Sequence, residues 1–171
     1  IPFTPKSLGA DMISVSGHKI HAPKGIGALY VRSGLRLKPY IMGGSQEDGR
    51  RAGTEAMPQI AAFGEACRIA KENLAENAAK MAALRQLTID TLTPAIPELQ
   101  VINGAAPHIL SISLPGWRSE VLMNFLEARG VYVSRSSACK KGARSHVLEA
   151  IGLDSRVIDG AIRIGLCRYN T

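Results

Sequence analysis

The hydrophobic pattern divides the chain into stretches of different period. Asp11 to Val15 and Gly27 to Val31 are short, apolar and partly β-branched, which predicts two strands. Between them, Ser16-Gly17-His18-Lys19 and Pro23-Lys24-Gly25 read as turns, and a glycine-rich, charged loop runs from Gly43 to Thr54. From about Ala56 the period lengthens: Ile60, Phe63, Cys67, Ala70, Leu74, Ala78, Met81, Leu84 and Leu87 recur every three or four residues. That is the signature of a long amphipathic helix, with a bend or interruption expected before Pro94. Glu76 and Lys80 stand as a favourable i,i+4 pair on its polar side.

Beyond the helix, strands and helices alternate. Leu99 to Ile102 and Ile109 to Leu114 read as strands, the second cleanly alternating. Ser119 is placed to cap a helix through Glu127, and Gly130 suits the left-handed position that closes one. Val131 to Val133 is expected as a strand, Ser145 to Ile151 as a short helix, and Ala161 to Leu166 as the last strand. Together these predict an α/β chain whose second part, from about residue 90, is a small layered domain.

Composition changes this picture little. Of the 171 residues, 46% are hydrophobic and 20% charged, enough to build a core. No apolar run reaches the length of a membrane span. The net charge of +7 would fit nucleic acid, but the basic residues are scattered and aromatics are few, so neither nucleic acid nor membrane is expected as a partner. Cys67, Cys139 and Cys167 are far apart and odd in number, which argues against a disulfide framework or a structural metal site. Cys67, on the apolar stripe, reads as a buried small hydrophobe.

Three segments carry candidate chemistry. In Ser16-Gly17-His18-Lys19 a lysine sits beside a hydroxyl and a glycine that lets backbone approach closely, a set that suits an aldehyde bearing a phosphate. Taken alone the motif is weak, and an ordinary exposed lysine is the better reading of it. In Gly43 to Glu55, Thr54 can cap the long helix or offer its hydroxyl to an anion. In Ser134-Arg135-Ser136-Ser137-Ala138-Cys139-Lys140-Lys141-Gly142 a thiol lies in a polar loop among cations, with Arg144 nearby, an environment that favours the thiolate.

In order and spacing, Ser-Gly-His-Lys with Pro-Lys-Gly, the Gly-Gly-Ser-Gln-Glu loop ending in Gly-Thr-Glu, Ser-Ser-Ala-Cys, and Arg163 to Thr171 resemble the cysteine desulfurases of the NifS/IscS class. The resemblance covers essentially the whole chain and implies part of a fold-type-I pyridoxal-phosphate enzyme. Residues 1 to 75 correspond to the end of the large cofactor domain with the connecting helix, and 76 to 171 to the small carboxy-terminal domain. It implies that Lys19 condenses with the aldehyde of pyridoxal 5'-phosphate, and that Ser16 and His18 hold its phosphate. Thr54 corresponds to a threonine that reaches the cofactor phosphate of the partner in a homodimer. Arg163 corresponds to the arginine that grips the substrate carboxylate, and Cys139 to the thiol that takes sulfur from L-cysteine. No metal is implied. The persulfide would pass to an acceptor protein, an iron–sulfur scaffold or a tRNA-thiolation enzyme, in the cytoplasm. A selenocysteine lyase or another class V pyridoxal enzyme would share Lys19 and Arg163, and a non-catalytic interaction module is the rival from outside enzymes.

The same resemblance places the family's amino-terminal half and last helix outside these 171 residues. The isolated chain is therefore expected neither to hold pyridoxal phosphate tightly nor to release alanine from L-cysteine. Visible-range absorbance after cofactor addition and an alanine assay check this.

Overall fold

The computed structural model describes residues 2–102, 104–135 and 144–171. Two compact units divide at residues 74 and 75.

The first unit opens with a single helical turn, α1 (Pro5–Leu8), closed by a reciprocal Thr4–Ser7 capping box. Strands β1 (Met12–Ser16) and β2 (Gly27–Val31) follow, paired antiparallel from Met12–Val31 to Ser16–Gly27. A 3-10 turn at Gly17–Ile20 continues directly from β1. Helix α2 (Met57–Glu72) ends the unit. Its inner line runs through Ala62, Phe63, Ala66, Ile69, Ala70 and Asn73, of which Ala66 is buried and the rest half-buried. That line is rotated from the predicted stripe, and it leaves Cys67 exposed rather than buried. At 3.6 residues per turn Cys67 follows Ala66 by about 100°, enough to carry it off the packed face. Both strands are mostly open in this chain: Met12, Val15, Leu29 and Tyr30 are all exposed.

The predicted long helix is two. Asn73 leaves helical geometry with its backbone and side-chain amides both bonded to the Ile69 carbonyl, and α3 (Leu74–Ala95) starts afresh. Pro94 does not stop α3; it sits in the last turn, where one lost backbone donor is tolerable. The expected Glu76–Lys80 pairing gives way to a longer reach, as the Lys80 amine donates to the Arg168 carbonyl at 3.0 Å. This ties the end of the chain back to α3.

The second unit is a four-stranded antiparallel sheet with helices on both faces. Its strands are β3 (Gln100–Ile102), β4 (Ile109–Ser113), β5 (Ser134–Arg135) and β6 (Ala161–Gly165), in the spatial order β3-β4-β6-β5. Helices α4 (Ser119–Glu127), α5 (His146–Ala150) and α6 (Ser155–Asp159) complete it. Alternation sorts the side chains. Leu110, Ile112 and Ile162 point to one face and pack with Leu99, Ile89 and Leu92 of α3, and Leu122, Met123 and Leu126 of α4. Ala161 and Ile102 lie on the other face against Leu148 of α5 and Ile158 of α6.

The ends of α4 depart from expectation in one place and match it in another. Arg118, not Ser119, occupies the cap position, and Ser119 is the buried first helical residue. Gly130 takes φ +78°, while Val131 N–H bonds Leu126 O and Gly130 N–H bonds Glu127 O, the paired bonds that terminate a helix at a left-handed glycine. The strand expected at Val131–Val133 forms only at Ser134–Arg135, because those earlier residues are spent leaving the helix. Ser145 caps α5 by accepting from Leu148 N–H.

Leu110 is wholly buried at the centre of the larger core. Leu110→Ala is expected to lower stability by about 2–5 kcal/mol, read from urea unfolding of this chain.

Candidate functional site

The sequence-predicted residues fall into both units. In the first, Ser16, His18 and Lys19 share one turn. Ser16 is the last residue of β1 and the cap of the 3-10 turn, and its hydroxyl does not take up the capping bond. Gly17 is buried beneath, its N–H bonded to Ile26 O at 2.9 Å. A Cβ at Gly17 would stand 2.9 Å from that carbonyl oxygen and 3.1 Å from the Phe63 ring of α2. Only glycine lets the turn press against both, so the turn is fixed from below while Ser16, His18 and Lys19 are exposed above it. Among the described residues nothing ion-pairs or hydrogen-bonds the Lys19 amine. A primary amine, a hydroxyl and an imidazole on one turn, none of them engaged by another described residue, are a donor set that fits the aldehyde and phosphate of pyridoxal phosphate.

Thr54 belongs to the loop before α2 and does not cap it. The cap position is Ala56, and Pro58 follows in the first turn. The loop is folded on itself by other bonds: Gly53 N–H donates to the Gln46 side-chain oxygen at 3.1 Å, and Ala52 N–H to Ile41 O at 3.1 Å. Glu47 and Asp48 both carry positive φ, 52° and 55°, which costs about 1–2 kcal/mol per residue in a non-glycine backbone.

In the second unit Arg163 lies mid-way along β6, on the face opposite the larger core. Register sets Ser111 of β4 directly against it on one side and Ser134 of β5 on the other. Arg163 is half-buried, and among the described residues its guanidinium has neither ion pair nor hydrogen bond. Sequence reading singled out Arg163 but not the two serines, since nothing local says which strands become neighbours.

Cys139, with Lys140 and Lys141, lies outside the described residues. The cations on either side of that segment are engaged. Arg144 forms a two-pronged pair with Asp159, both bonds at 2.7 Å, and Arg135 reaches Glu120 of α4 at 3.6 Å. Arg144 was expected to favour the thiolate; its charge is instead matched by Asp159. Hydrogen bonding to Arg144 holds the Asp159 carboxyl below its ordinary value of 3.8 and raises the Arg144 guanidinium above its own.

No helix among the described residues is long and apolar enough to cross a membrane. The family model "Aminotransferase class-V" matches residues 1–171, the whole chain. The chain belongs to the class V aminotransferase family, and its α/β fold is part of the fold-type-I fold of the NifS-like pyridoxal-phosphate enzymes. Among its relatives, a Nostoc sp. protein named cysteine desulfurase is 42% identical over 176 aligned positions, covering 100% of this chain and 44% of that protein. A solved NifS-like protein superposes with a TM-score of 0.87 at 41% identity, over 100% of this chain and 44% of the other. A structure described as SspA in complex with cysteine gives 0.69 at 30% identity, over 99% and 47%. The chain thus spans less than half the length of the relatives it matches.

The lowered Asp159 carboxyl fixes a sign. Its contribution to stability is present above the ordinary carboxylate value of 3.8 and is lost as pH falls through the depressed folded value. Asp159→Asn is expected to lower the melting temperature slightly at neutral pH, with wild type and variant converging in acid. Thermal melts across that pH range check it, and a gap that persists into acid would remove the ion pair as its cause.

Proposed function

We propose that the polypeptide is a pyridoxal-phosphate-dependent cysteine desulfurase that moves sulfur from L-cysteine to Cys139 and releases alanine. The observation that carries this reading is Arg163: a half-buried arginine that no described residue pairs or bonds is suited to an anionic ligand, and a substrate carboxylate meets its fork with two parallel hydrogen bonds. The names of the relatives, the uncommitted Lys19 turn and the Ser-Ser-Ala-Cys segment support the same chemistry.

In this reading Lys19 holds the cofactor aldehyde, Ser16 and His18 hold its phosphate, and Thr54 serves the phosphate of the partner in a homodimer. Pyridoxal phosphate, when bound, supplies an electron sink for charge that develops on the substrate. The Lys19 amine would remove and return protons at the substrate α carbon. Arg163 fixes the carboxylate and so the orientation of the rest of the molecule. The Cys139 thiolate attacks the substrate sulfur; an S–S bond forms, the C–S bond breaks, and its electron pair stays on carbon, which takes a proton to become alanine. The persulfide then goes to an iron–sulfur scaffold or a tRNA-thiolation enzyme in the cytoplasm. Unit 1 acts as the end of a large cofactor domain, for which the open apolar faces of β1 and β2 are suited, and unit 2 as the small domain.

The polypeptide that the gene encodes, incubated with pyridoxal phosphate and L-cysteine, is expected to gain the mass of one sulfur at Cys139 and release alanine in step. Cys139→Ala should lower alanine release by about two orders of magnitude or more. An unchanged mass with no alanine would overturn the reading, and activity on selenocysteine retained in Cys139→Ala would replace it with a selenocysteine lyase.

A further inference from the structure

We propose that Ser134 is a second contact for the anion that Arg163 holds: its hydroxyl donates to the same carboxylate. This rests on the reading of Arg163 given above.

The two residues are tied by register. A single row crosses the sheet through Ile102, Ser111, Arg163 and Ser134, one on each strand and all on one face. Directly paired side chains on neighbouring antiparallel strands stand about 4.5–5.5 Å apart at Cβ, so each serine borders the Arg163 stem. Both serines are half-buried, and among the described residues neither hydroxyl has a hydrogen-bond partner. Ser113, two residues from Ser111 on the same face, shows the contrast: its hydroxyl donates to Val157 O at 2.6 Å. A hydroxyl and a guanidinium on directly paired residues, neither engaged by another described residue, are both available to donate to one shared anion.

The two flanks of Arg163 differ. On the Ser111 side lies Ile102, which packs into the Leu148–Ile158–Ala161 cluster beneath α5 and α6. That flank is closed by an apolar layer. On the Ser134 side the sheet ends, since β5 is its edge strand among the described residues. Among the described residues the open side of the Arg163 stem is therefore the Ser134 side, where the guanidinium and the hydroxyl can donate to one carboxylate. Ser111 has a different use: a small side chain there leaves room for the arginine.

The test is an NMR titration of the full 171-residue chain with L-alanine, and with L-alaninamide, which lacks the carboxylate. L-alanine is expected to shift the signals of Arg163 and Ser134 with a dissociation constant in the millimolar range or weaker, and L-alaninamide to shift neither. Ser134→Ala should weaken L-alanine binding about tenfold, and Ser134→Thr, which keeps the hydroxyl and suits a strand, should stay within about threefold of wild type. Ser111→Ala should bind within about twofold of wild type. L-alanine shifting Arg163 with full affinity in Ser134→Ala overturns the role of Ser134 and leaves that of Arg163 intact. No shift at Arg163 overturns both.

Discussion

The antiparallel register of β4 on β6 is the constraint on which the second unit depends. Leu110 faces Ile164 and Ile112 faces Ile162, so the apolar positions of both strands enter the same core. The odd positions, Ser111 and Arg163, are thereby turned to the opposite face. A slip of one residue would drive the Arg163 guanidinium into the Leu110 core and push Ile162 out, a change whose desolvation penalty no available partner offsets. The packing that stabilises the sheet is thus the same device that presents the arginine. Core and site are two sides of one alternation.

The first unit achieves presentation differently. Its buried residues are small, with Gly17, Ala22, Ala52 and Ala66 at the contacts. What fixes the Ser16–Lys19 turn is close approach, the Gly17 backbone lying on the Ile26 carbonyl and the Phe63 ring. Strand β1 delivers the chain, and the side chains of Ser16, His18 and Lys19 are left on top because Gly17, which interrupts them, goes underneath. The Lys19 backbone is thereby held by packing while its amine is engaged by none of the described residues.

Electrostatics around the Cys139 segment is quieter than the count of basic residues suggests. Arg144 and Arg135 are each directed to a carboxylate, on α6 and α4 respectively. Both pairs are largely exposed, so each contributes little to stability while leaving its guanidinium matched by a carboxylate.

By itself the sequence determined the periodic elements: the two paired strands, the helical stretch after Ala56, the strands at 100 and 109, the α4 helix with its closing Gly130, and the last strand. These are local, because a period of two or 3.6 and a left-handed glycine each leave a mark within a few residues. The short motifs likewise made the family legible, along with Lys19, Cys139 and Arg163 as candidates. Only the tertiary structure decided where α2 breaks, since Asn73 can bond back to Ile69 without any apolar pattern announcing it. It also decided which face of α2 is inside, that Arg144 answers to Asp159, and that Ser134 borders Arg163. Each of these depends on which segments distant in the chain become neighbours. The order β3-β4-β6-β5 is fixed by the joint burial of two layers on one sheet, a property no single stretch of residues contains.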